Sequence, residues 1–230
     1  MKKIKLSENL ELSQVVMGCM RIADSNLTEN ELLDLVEKCL DMGVTSIDHA
    51  PVYGGYTCEK IFGDAVLRKR PELRDKMQLI TKAGIVCPGH YGNKTIYYKS
   101  TKEEILKEMD ESLEKLGTDH VDLLLIHRPD PLADPAETAD ALETVVKQGK
   151  ALNVGVSNFL PSQMTMLQSY LNIPLVTNQM ELSVKNTENF FNEVLDHAFT
   201  RRIPLMACSP LEGGDVFKCT DEKFLRLRTV

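Results

Sequence analysis

The sequence predicts an α/β fold: a parallel (β/α)8 TIM-type barrel that is incomplete and carries an N-terminal β-hairpin. Two observations predict the barrel. Strand-like apolar runs alternate with amphipathic helical segments at intervals of roughly 25–40 residues, which is typical of right-handed βαβ units in a parallel sheet. One run, residues 121–126, is almost wholly apolar, as expected for a strand that is buried on both faces.

The strands are predicted in order along the chain. A hairpin comes first, with strands at residues 3–6 and 10–12. Barrel-type strands follow at residues 15–18, 45–48, 77–82, 121–126, 152–157, 175–179 and 204–209. Because a closed eight-fold barrel typically takes about 250 residues, we expect about seven barrel strands here, with the eighth strand and the last helices missing.

The helices between these strands are predicted from their end signals. They cover residues 28–40, 58–67, 101–116, 135–148, 161–170 and 188–200. Thr28 with Glu31, and Thr101 with Glu104, have the spacing of capping boxes, in which each residue bonds the backbone N–H of the other. The segment after residue 211 is ambiguous.

Composition restricts the class of protein. The 230 residues are 43% hydrophobic and 27% charged, which is ordinary for a soluble globular protein, and no Pro-, Gly- or Ser-rich linker divides residues 1–230 into two domains. A net charge of −7 without a basic stripe argues against nucleic acid. No run reaches the roughly 18 apolar residues of a membrane span, and the start lacks the apolar core of a signal peptide. Six cysteines without metal or redox spacing suggest reduced thiols in a cytoplasmic protein.

Four polar residues lie at three predicted strand ends, two of them on one strand and the loop that follows it, where parallel barrels place their chemistry. They are Asp48, Tyr53, Lys82 and His127. Tyrosine has a pKa near 10 and is a poor acid at neutral pH, but a nearby ammonium such as that of Lys82 stabilises the phenolate. Asp48 would keep Lys82 charged, and His127 would donate a hydrogen bond to a carbonyl oxygen. Such a set could polarise a carbonyl group and protonate the oxyanion that forms.

Each of the four residues also has a purely structural interpretation. Asp48 could cap the turn after its strand, and Tyr53 could be a packing aromatic with Tyr56 as a rival acid. Lys82 could be an exposed loop lysine, and His127 could be a core imidazole. The catalytic interpretation is favoured because all four fall at the same end of a parallel sheet.

Later strand ends add polar and glycine-rich sequences. Ser157, Asn158 and Gln179 could fix a carboxamide such as that of nicotinamide, although Ser and Asn also favour turns. Gly213 and Gly214 would let backbone N–H groups approach a diphosphate, although Gly-Gly is more often only a turn. The chain has no G-x-G-x-x-G after a strand and no P-loop sequence, so a nucleotide would not bind in Rossmann or P-loop fashion.

Four segments, taken in order, resemble the aldo-keto reductase family. They are residues 43–54, 116–130, 149–159 and 207–211. The Ile-Asp-His-Ala and His-Arg-Pro-Asp-Pro variants in the first two resemble the YdhF-like bacterial branch. The resemblance implies an oxidoreductase that reduces a small aldehyde or ketone to an alcohol by hydride transfer from NADP(H), with NAD(H) as the alternative.

The resemblance also implies a role for each site residue. Tyr53 would be the general acid, with Lys82 and Asp48 lowering its pKa, and His127 would orient the substrate. The implied cofactor-binding residues are Gly18, Met20, Arg21, Asp48, Ser157, Asn158, Gln179, Cys208, Ser209, Pro210, Leu211, Gly213 and Gly214.

Two departures from the family pattern change these expectations. Cys208 stands where an aromatic usually stacks on the nicotinamide. The eighth strand and the basic loop that reads the adenosine 2′-phosphate would lie beyond residue 230, and we assign none of Lys218, Lys223, Arg226 and Arg228 to that phosphate. An open barrel edge exposes unpaired backbone groups, so we expect low stability or self-association.

Two other functions are compatible with the sequence. One is a catalytically impaired reductase-fold protein with a vestigial or non-enzymatic role. The other is a metal-dependent barrel hydrolase that uses Asp48, His49 and His127, although its expected early His-x-His sequence is missing from residues 15–20.

Overall fold

The structure is a computed structural model of the chain, and it describes residues 1–218 together with Glu222 and Leu225. Its strands are β1 (Lys3–Lys5), β2 (Glu11–Ser13), β3 (Val16–Gly18), β4 (Ser46–Asp48), β5 (Gln78–Ala83), β6 (Ile85–Val86), β7 (Tyr97–Tyr98), β8 (Leu123–Ile126), β9 (Val154–Ser157), β10 (Leu175–Glu181) and β11 (Leu205–Cys208). Its α-helices are α1 (Glu29–Asp41), α2 (Cys58–Phe62), α3 (Lys102–Leu116), α4 (Pro135–Lys147), α5 (Pro161–Tyr170), α6 (Val194–Arg201) and α7 (Asp215–Lys218). Among these helices, none is long and apolar enough to cross a membrane.

Seven strands form one parallel sheet in the order β11-β10-β9-β8-β5-β4-β3. All of its ladders are parallel, so the carboxyl ends of the strands share one rim. Within the described residues, no ladder joins the two edge strands β3 and β11. The predicted fold class, an incomplete parallel barrel with an N-terminal hairpin, is therefore confirmed.

The central strands of the sheet are buried on both faces, and β8 shows how. Leu123 and Leu125 point inward, while Leu124 and Ile126 pack outward against the helices, because side chains alternate along a strand. The hairpin β1–β2 packs into the interior at the end of the sheet opposite the carboxyl rim. Its Leu12 belongs to the same apolar cluster as Leu123 and Leu125. This alternation explains why the run at residues 121–126 is apolar throughout.

The predicted helix ends differ in how completely they form. At α1, the Thr28 N–H donates to Glu31 Oε2 at 2.8 Å, and the Glu31 N–H donates to Thr28 Oγ1 at 3.3 Å, so this capping box is complete. At α3, Thr101 accepts from the Glu104 N–H at 3.4 Å. The Glu104 carboxylate, however, binds Lys99 Nζ at 2.8 Å. The second capping box is therefore only half formed, because an ion pair competes for its acid.

Two predicted helices are interrupted. The helix at 58–67 continues beyond α2 as a π-helical turn, Gly63–Leu67, and a Cβ on Gly63 would stand 2.1 Å from the Lys115 carbonyl oxygen. The helix at 188–200 splits into a 3₁₀ turn and α6, because Glu193 adopts the left-handed region with φ +68°.

The chain after β11 was ambiguous in sequence. It forms a 3₁₀ turn at Glu212–Gly214 and then α7. Lys223, Arg226 and Arg228 lie outside the described residues.

Candidate active site

Neighbouring strands bring three of the four predicted catalytic side chains into direct contact. β4 and β5 pair with Asp48 opposite Ile80, which places Lys82 one step further toward the same rim. Lys82 Nζ donates to both carboxylate oxygens of Asp48 at 2.8 Å and lies 3.0 Å from the Tyr53 hydroxyl. The Tyr53 hydroxyl is 3.5 Å from Asp48 Oδ2. The carboxylate, ammonium and phenol therefore form one hydrogen-bonded cluster.

Lys82 is buried, with 1% of the residue exposed. Burial by itself lowers the pKa of an ammonium. The charge of Asp48 and the hydrogen bonds from Asp48 and Tyr53 act in the opposite direction, and they raise the pKa of Lys82 above its usual value. A further acceptor is the carbonyl oxygen of His49, at 2.8 Å. Lys82 is therefore held as a cation.

The pKa of Tyr53 corrects one expectation from the sequence. Burial is the largest influence and raises it, Lys82 lowers it, and Asp48 raises it, with a net result of about 12. We expected Lys82 and Asp48 to lower this pKa together. That was wrong for Asp48, because a carboxylate repels the phenolate, and burial outweighs the help from Lys82. The phenol is therefore protonated at neutral pH.

His127 lies beside this cluster rather than within it. Its ring meets the Tyr53 ring edge to face, with centroids 6.1 Å apart at 83°. Burial, followed by the charges of Lys82 and Arg128, lowers the pKa of His127 to about 3. The ring is therefore a neutral imidazole that can donate a hydrogen bond but carries no mobile proton as a cation.

A cleft of about 510 Å³ opens between the two edge strands and reaches the cluster. Eight predicted site residues, in addition to Tyr53, line it: Gly18, Met20, Arg21, Asp48, Gln179, Cys208, Ser209 and Pro210. Cys208 is half buried, and burial raises the pKa of its thiol, as does the charge of Glu181. The cleft therefore joins most of the predicted cofactor residues to the proton-handling groups.

The predicted amide-binding residues form a connected chain at the rim. Ser157 Oγ donates to the Gln179 carbonyl at 3.0 Å, and Asn158 Nδ2 donates to Ser157 Oγ at 2.9 Å. Gln179 Nε2 donates to Asp48 Oδ1 at 3.2 Å. Within the described residues, Asn158 Oδ1 and Gln179 Oε1 have no partner. With the amides oriented in this way, both oxygens can accept from a carboxamide NH₂.

The remaining predicted cofactor residues follow β11, outside the lining of the cleft. Leu211 is 51% exposed, and it precedes the turn that contains Gly213 and Gly214. Both glycines have positive φ, +66° and +97°. A Cβ on Gly214 would meet nothing within 4 Å, so this turn leaves open space above its backbone.

In the described residues, Tyr56 and His49 are placed for other contacts than those of an alternative acid or a metal site. Tyr56 accepts from the Cys87 N–H at 2.8 Å and stacks on His90 at 3.6 Å, so it anchors the β6–β7 ribbon. The His49 ring packs edge-on against Phe62, with centroids 4.6 Å apart. In the part of the chain that the structure describes, no group of three His, Cys, Asp or Glu side chains is placed to hold a metal ion.

Sequence reasoning missed one contributor to the site, the His49 carbonyl, and one buried acid behind β5, Glu108. The His49 carbonyl has no sequence signal, because any residue supplies one. Glu108 is buried and accepts from the Gly84 N–H at 2.6 Å, two residues beyond Lys82. Its position on the inward face of α3 was the only available signal, and an acid at such a position is rare without a partner.

Comparison with known proteins gives the same family as the motifs. The sequence profile of the Aldo/keto reductase family matches residues 14–223. The chain is 46% identical over 220 residues to the 6-dehydroglucose reductase of Agrobacterium fabrum, covering 94% of this chain and 74% of that protein. It is 43% identical over 218 residues to the oxidoreductase YdhF of Escherichia coli, covering 95% and 72%.

A solved structure agrees with these relatives. The glycerol dehydrogenase AKR11B4 from Gluconobacter oxydans superposes with a TM-score of 0.79 at 29% identity, covering 93% of this chain and 64% of that one. Fold, motif order and sequence identity thus point to one family. The chain belongs to the aldo/keto reductase family of oxidoreductases, in the branch that contains YdhF.

Proposed function

We propose that this protein reduces the carbonyl group of a small aldehyde or ketone to the alcohol, with NADPH or NADH as the hydride donor and Tyr53 as the general acid. The observation that carries the proposal is the buried Asp48–Lys82–Tyr53 cluster at the end of the cleft. Its phenol is protonated at neutral pH and lies 3.0 Å from an ammonium. This is the environment in which a phenol can give up its proton to an oxyanion.

Each of the four polar side chains has a separate role in this reaction. Tyr53 gives its proton to the carbonyl oxygen, and Lys82 stabilises the phenolate that is left behind, because opposite charges attract strongly where water is excluded. Asp48 balances the ammonium. The neutral imidazole of His127 donates an N–H to the carbonyl oxygen and so orients the substrate. A dinucleotide held beside these residues would supply the hydride.

The residues present fit such a dinucleotide. Asn158 and Gln179 offer free amide oxygens for the nicotinamide carboxamide. Arg21 in the lining of the cleft offers positive charge, and Gly214 in the turn after β11 offers open backbone, which suit a diphosphate. The half-buried thiol of Cys208 would lie beside the nicotinamide as a small platform.

The relatives suggest a substrate class. A protein 46% identical to this chain is a 6-dehydroglucose reductase, whose name specifies a sugar that carries an extra carbonyl. We extend this to a small polyhydroxylated aldehyde, reduced in the cytoplasm.

The test compares two tyrosine variants. Tyr53→Phe removes the acid, and we expect turnover of glyceraldehyde with NADPH to fall by about 10²–10⁴-fold with little change in NADPH affinity. Tyr56→Phe, only three residues away, removes a hydroxyl that merely anchors the ribbon and should stay within a few-fold of the natural protein. Equal turnover in Tyr53→Phe and the natural protein would refute the assignment.

A second candidate is a reductase-fold protein that binds the dinucleotide without turnover. The gap between β3 and β11 favours it, because a cofactor held from loosely connected edges is poorly positioned for hydride transfer. Tight NADPH binding without reduction of any aldehyde in the natural protein would support this candidate.

A further inference from the structure

Glu181 is the last residue of β10, and its side chain points toward the interior of the sheet. Along a strand, side chains alternate between the two faces, so Glu181 shares a face with Gln179, two residues before it. Gln179 points inward, because its Nε2 donates to Asp48 Oδ1 at 3.2 Å. In the parallel ladder with β11, Glu181 lies opposite Cys208, which lines the cleft. The Glu181 carboxylate therefore projects from the inner face of the sheet at its carboxyl rim.

The thiol of Cys208 relates Glu181 to the proton-handling cluster. Burial raises the pKa of this thiol most, and the charge of Glu181 raises it next. Lys82 lowers the same pKa, and Asp48 raises it, by smaller amounts. Because the interaction between charges weakens with distance, both the Glu181 carboxylate and the Asp48–Lys82 pair lie near the thiol. Glu181 therefore belongs to the surroundings of the catalytic cluster.

The carboxylate of Glu181 is not satisfied by the protein. Within residues 1–218, Glu222 and Leu225, it makes no ion pair and no hydrogen bond. Its backbone is fixed, since the Glu181 carbonyl accepts from Asn189 Nδ2 at 2.8 Å. The residue is half-buried, and partial burial of a charge is costly unless a donor compensates it. Two acceptor oxygens are thus held at the inner rim and are available to a ligand.

The chemistry of a carboxylate restricts what that ligand can be. An ionised carboxylate only accepts hydrogen bonds, through two oxygens, so it selects a molecule that carries donors. In a small neutral aldehyde the donors are hydroxyl groups, and two neighbouring hydroxyls match the two oxygens. A site that binds a substrate hydroxyl discriminates against the analogue without it, because the polar group of the protein is then left unpaired.

We propose that Glu181 is a specificity-determining residue, which accepts hydrogen bonds from the hydroxyl groups of a polyhydroxylated aldehyde while Tyr53 acts on its carbonyl oxygen. The role of Glu181 rests on the proposed function, because it requires the reacting carbonyl to lie at Tyr53. It gives the substrate a second point of recognition at the inner rim. The protein should therefore prefer a hydroxylated aldehyde over an aliphatic one of the same length.

The test compares two aldehydes with the same carbon skeleton, glyceraldehyde with two hydroxyl groups and propionaldehyde with none. The measured quantity is the ratio of kcat/KM for glyceraldehyde to kcat/KM for propionaldehyde, with NADPH as the donor. Glu181→Met removes both acceptor oxygens at nearly constant side-chain length. It should lower the ratio about 10- to 100-fold, as expected for the loss of hydrogen bonds to a charged group. The loss should fall on glyceraldehyde, and kcat/KM for propionaldehyde should not fall.

Two further variants serve as controls. Glu188→Met removes the same charge from an exposed position in the turn after β10 and should leave the ratio unchanged. Glu181→Gln keeps one acceptor oxygen without the charge and should lower the ratio by only about 3- to 10-fold. If Glu181→Met does not fold, Glu181→Gln decides, and a ratio equal to that of the natural protein would then contradict the proposed role.

The outcomes separate the role of Glu181 from the proposed function. An unchanged ratio in Glu181→Met would overturn the role and leave the reductase intact. Equal losses of kcat/KM for both aldehydes would also overturn it, since they would indicate a merely structural residue. Reduction of neither aldehyde by the natural protein would refute the proposed function and the role of Glu181 together.

Discussion

The two sides of the sheet differ in how much the protein completes by itself. Both β4 and β5 pair with a strand on each edge. Lys82 is buried there, with 1% exposed, and it already donates to the carboxylate of Asp48, the carbonyl of His49 and the hydroxyl of Tyr53. At the β3–β11 side, no strand of the described residues pairs with the outer edges, and Val15 is 54% exposed. Proton handling is thus preorganised, whereas the cofactor side depends on what binds there.

The largest expected effect comes from breaking the preorganised side. Lys82→Met leaves the Asp48 carboxylate largely buried without its charged partner, and we expect the free energy of unfolding to fall by about 3–5 kcal/mol, as when one member of a buried ion pair is removed. Urea denaturation measures this loss. The double variant Asp48→Asn/Lys82→Met should recover part of it, and a loss below about 1 kcal/mol for Lys82→Met would show that the pair is not sealed.

A second prediction concerns the acid behind that side. Burial is the main cause that raises the pKa of Glu108 to about 8, so its proton stabilises the folded state. This contribution is full below the unfolded pKa of about 4.5 and is lost as pH rises through about 8. Between pH 6 and pH 9 the loss should be about 3 kcal/mol.

The measurement is the pH dependence of unfolding in the natural protein and in Glu108→Gln. An amide keeps an acceptor for the Gly84 N–H without titrating. The variant should therefore lack this component of the pH dependence. Identical pH profiles for the two proteins would contradict the raised pKa of Glu108.

The open side predicts a smaller effect on stability but a clear effect on association. Unpaired strand edges pair with other chains, so we propose that the free protein self-associates through β11 in a concentration-dependent way. Ala207 is exposed on that strand, and Ala207→Lys should reduce association while changing the unfolding free energy by less than about 0.5 kcal/mol. Sedimentation velocity checks this, and a monomer at all concentrations would contradict it.

The sequence predicts the parts of this molecule that depend on local pattern. The strand at 121–126 and the box at Thr28 and Glu31 follow from neighbouring residues alone. The ribbon β6–β7 does not, because two-residue strands have no measurable period. Glu104 forms an ion pair with Lys99, five residues before it, instead of completing its cap, because the spacing of a capping box says nothing about a lysine outside the box.

The candidate site shows the same division. The identities of Asp48, Tyr53 and Lys82 and their placement at strand ends could be predicted, because strand order and parallel pairing bring them to one rim. The pKa of Tyr53 could not be predicted, because the direction of its shift depends on burial and on the distances to two opposing charges. The packing of the Arg21 guanidinium against Gly213 could not be predicted either, since it joins loops from opposite edges of the sheet.

The central claim is that Tyr53 acts as a protonated acid in a sealed cluster, and the most direct test is the pH dependence of carbonyl reduction. The measurement is kcat for glyceraldehyde reduction with saturating NADPH, compared in the natural protein and Tyr53→Phe. Because the pKa of Tyr53 is about 12, we predict a rate that is flat from about pH 6 to pH 10 and that is lost in Tyr53→Phe. A rate in the natural protein that falls through a pKa between about 7 and 9 would contradict the account.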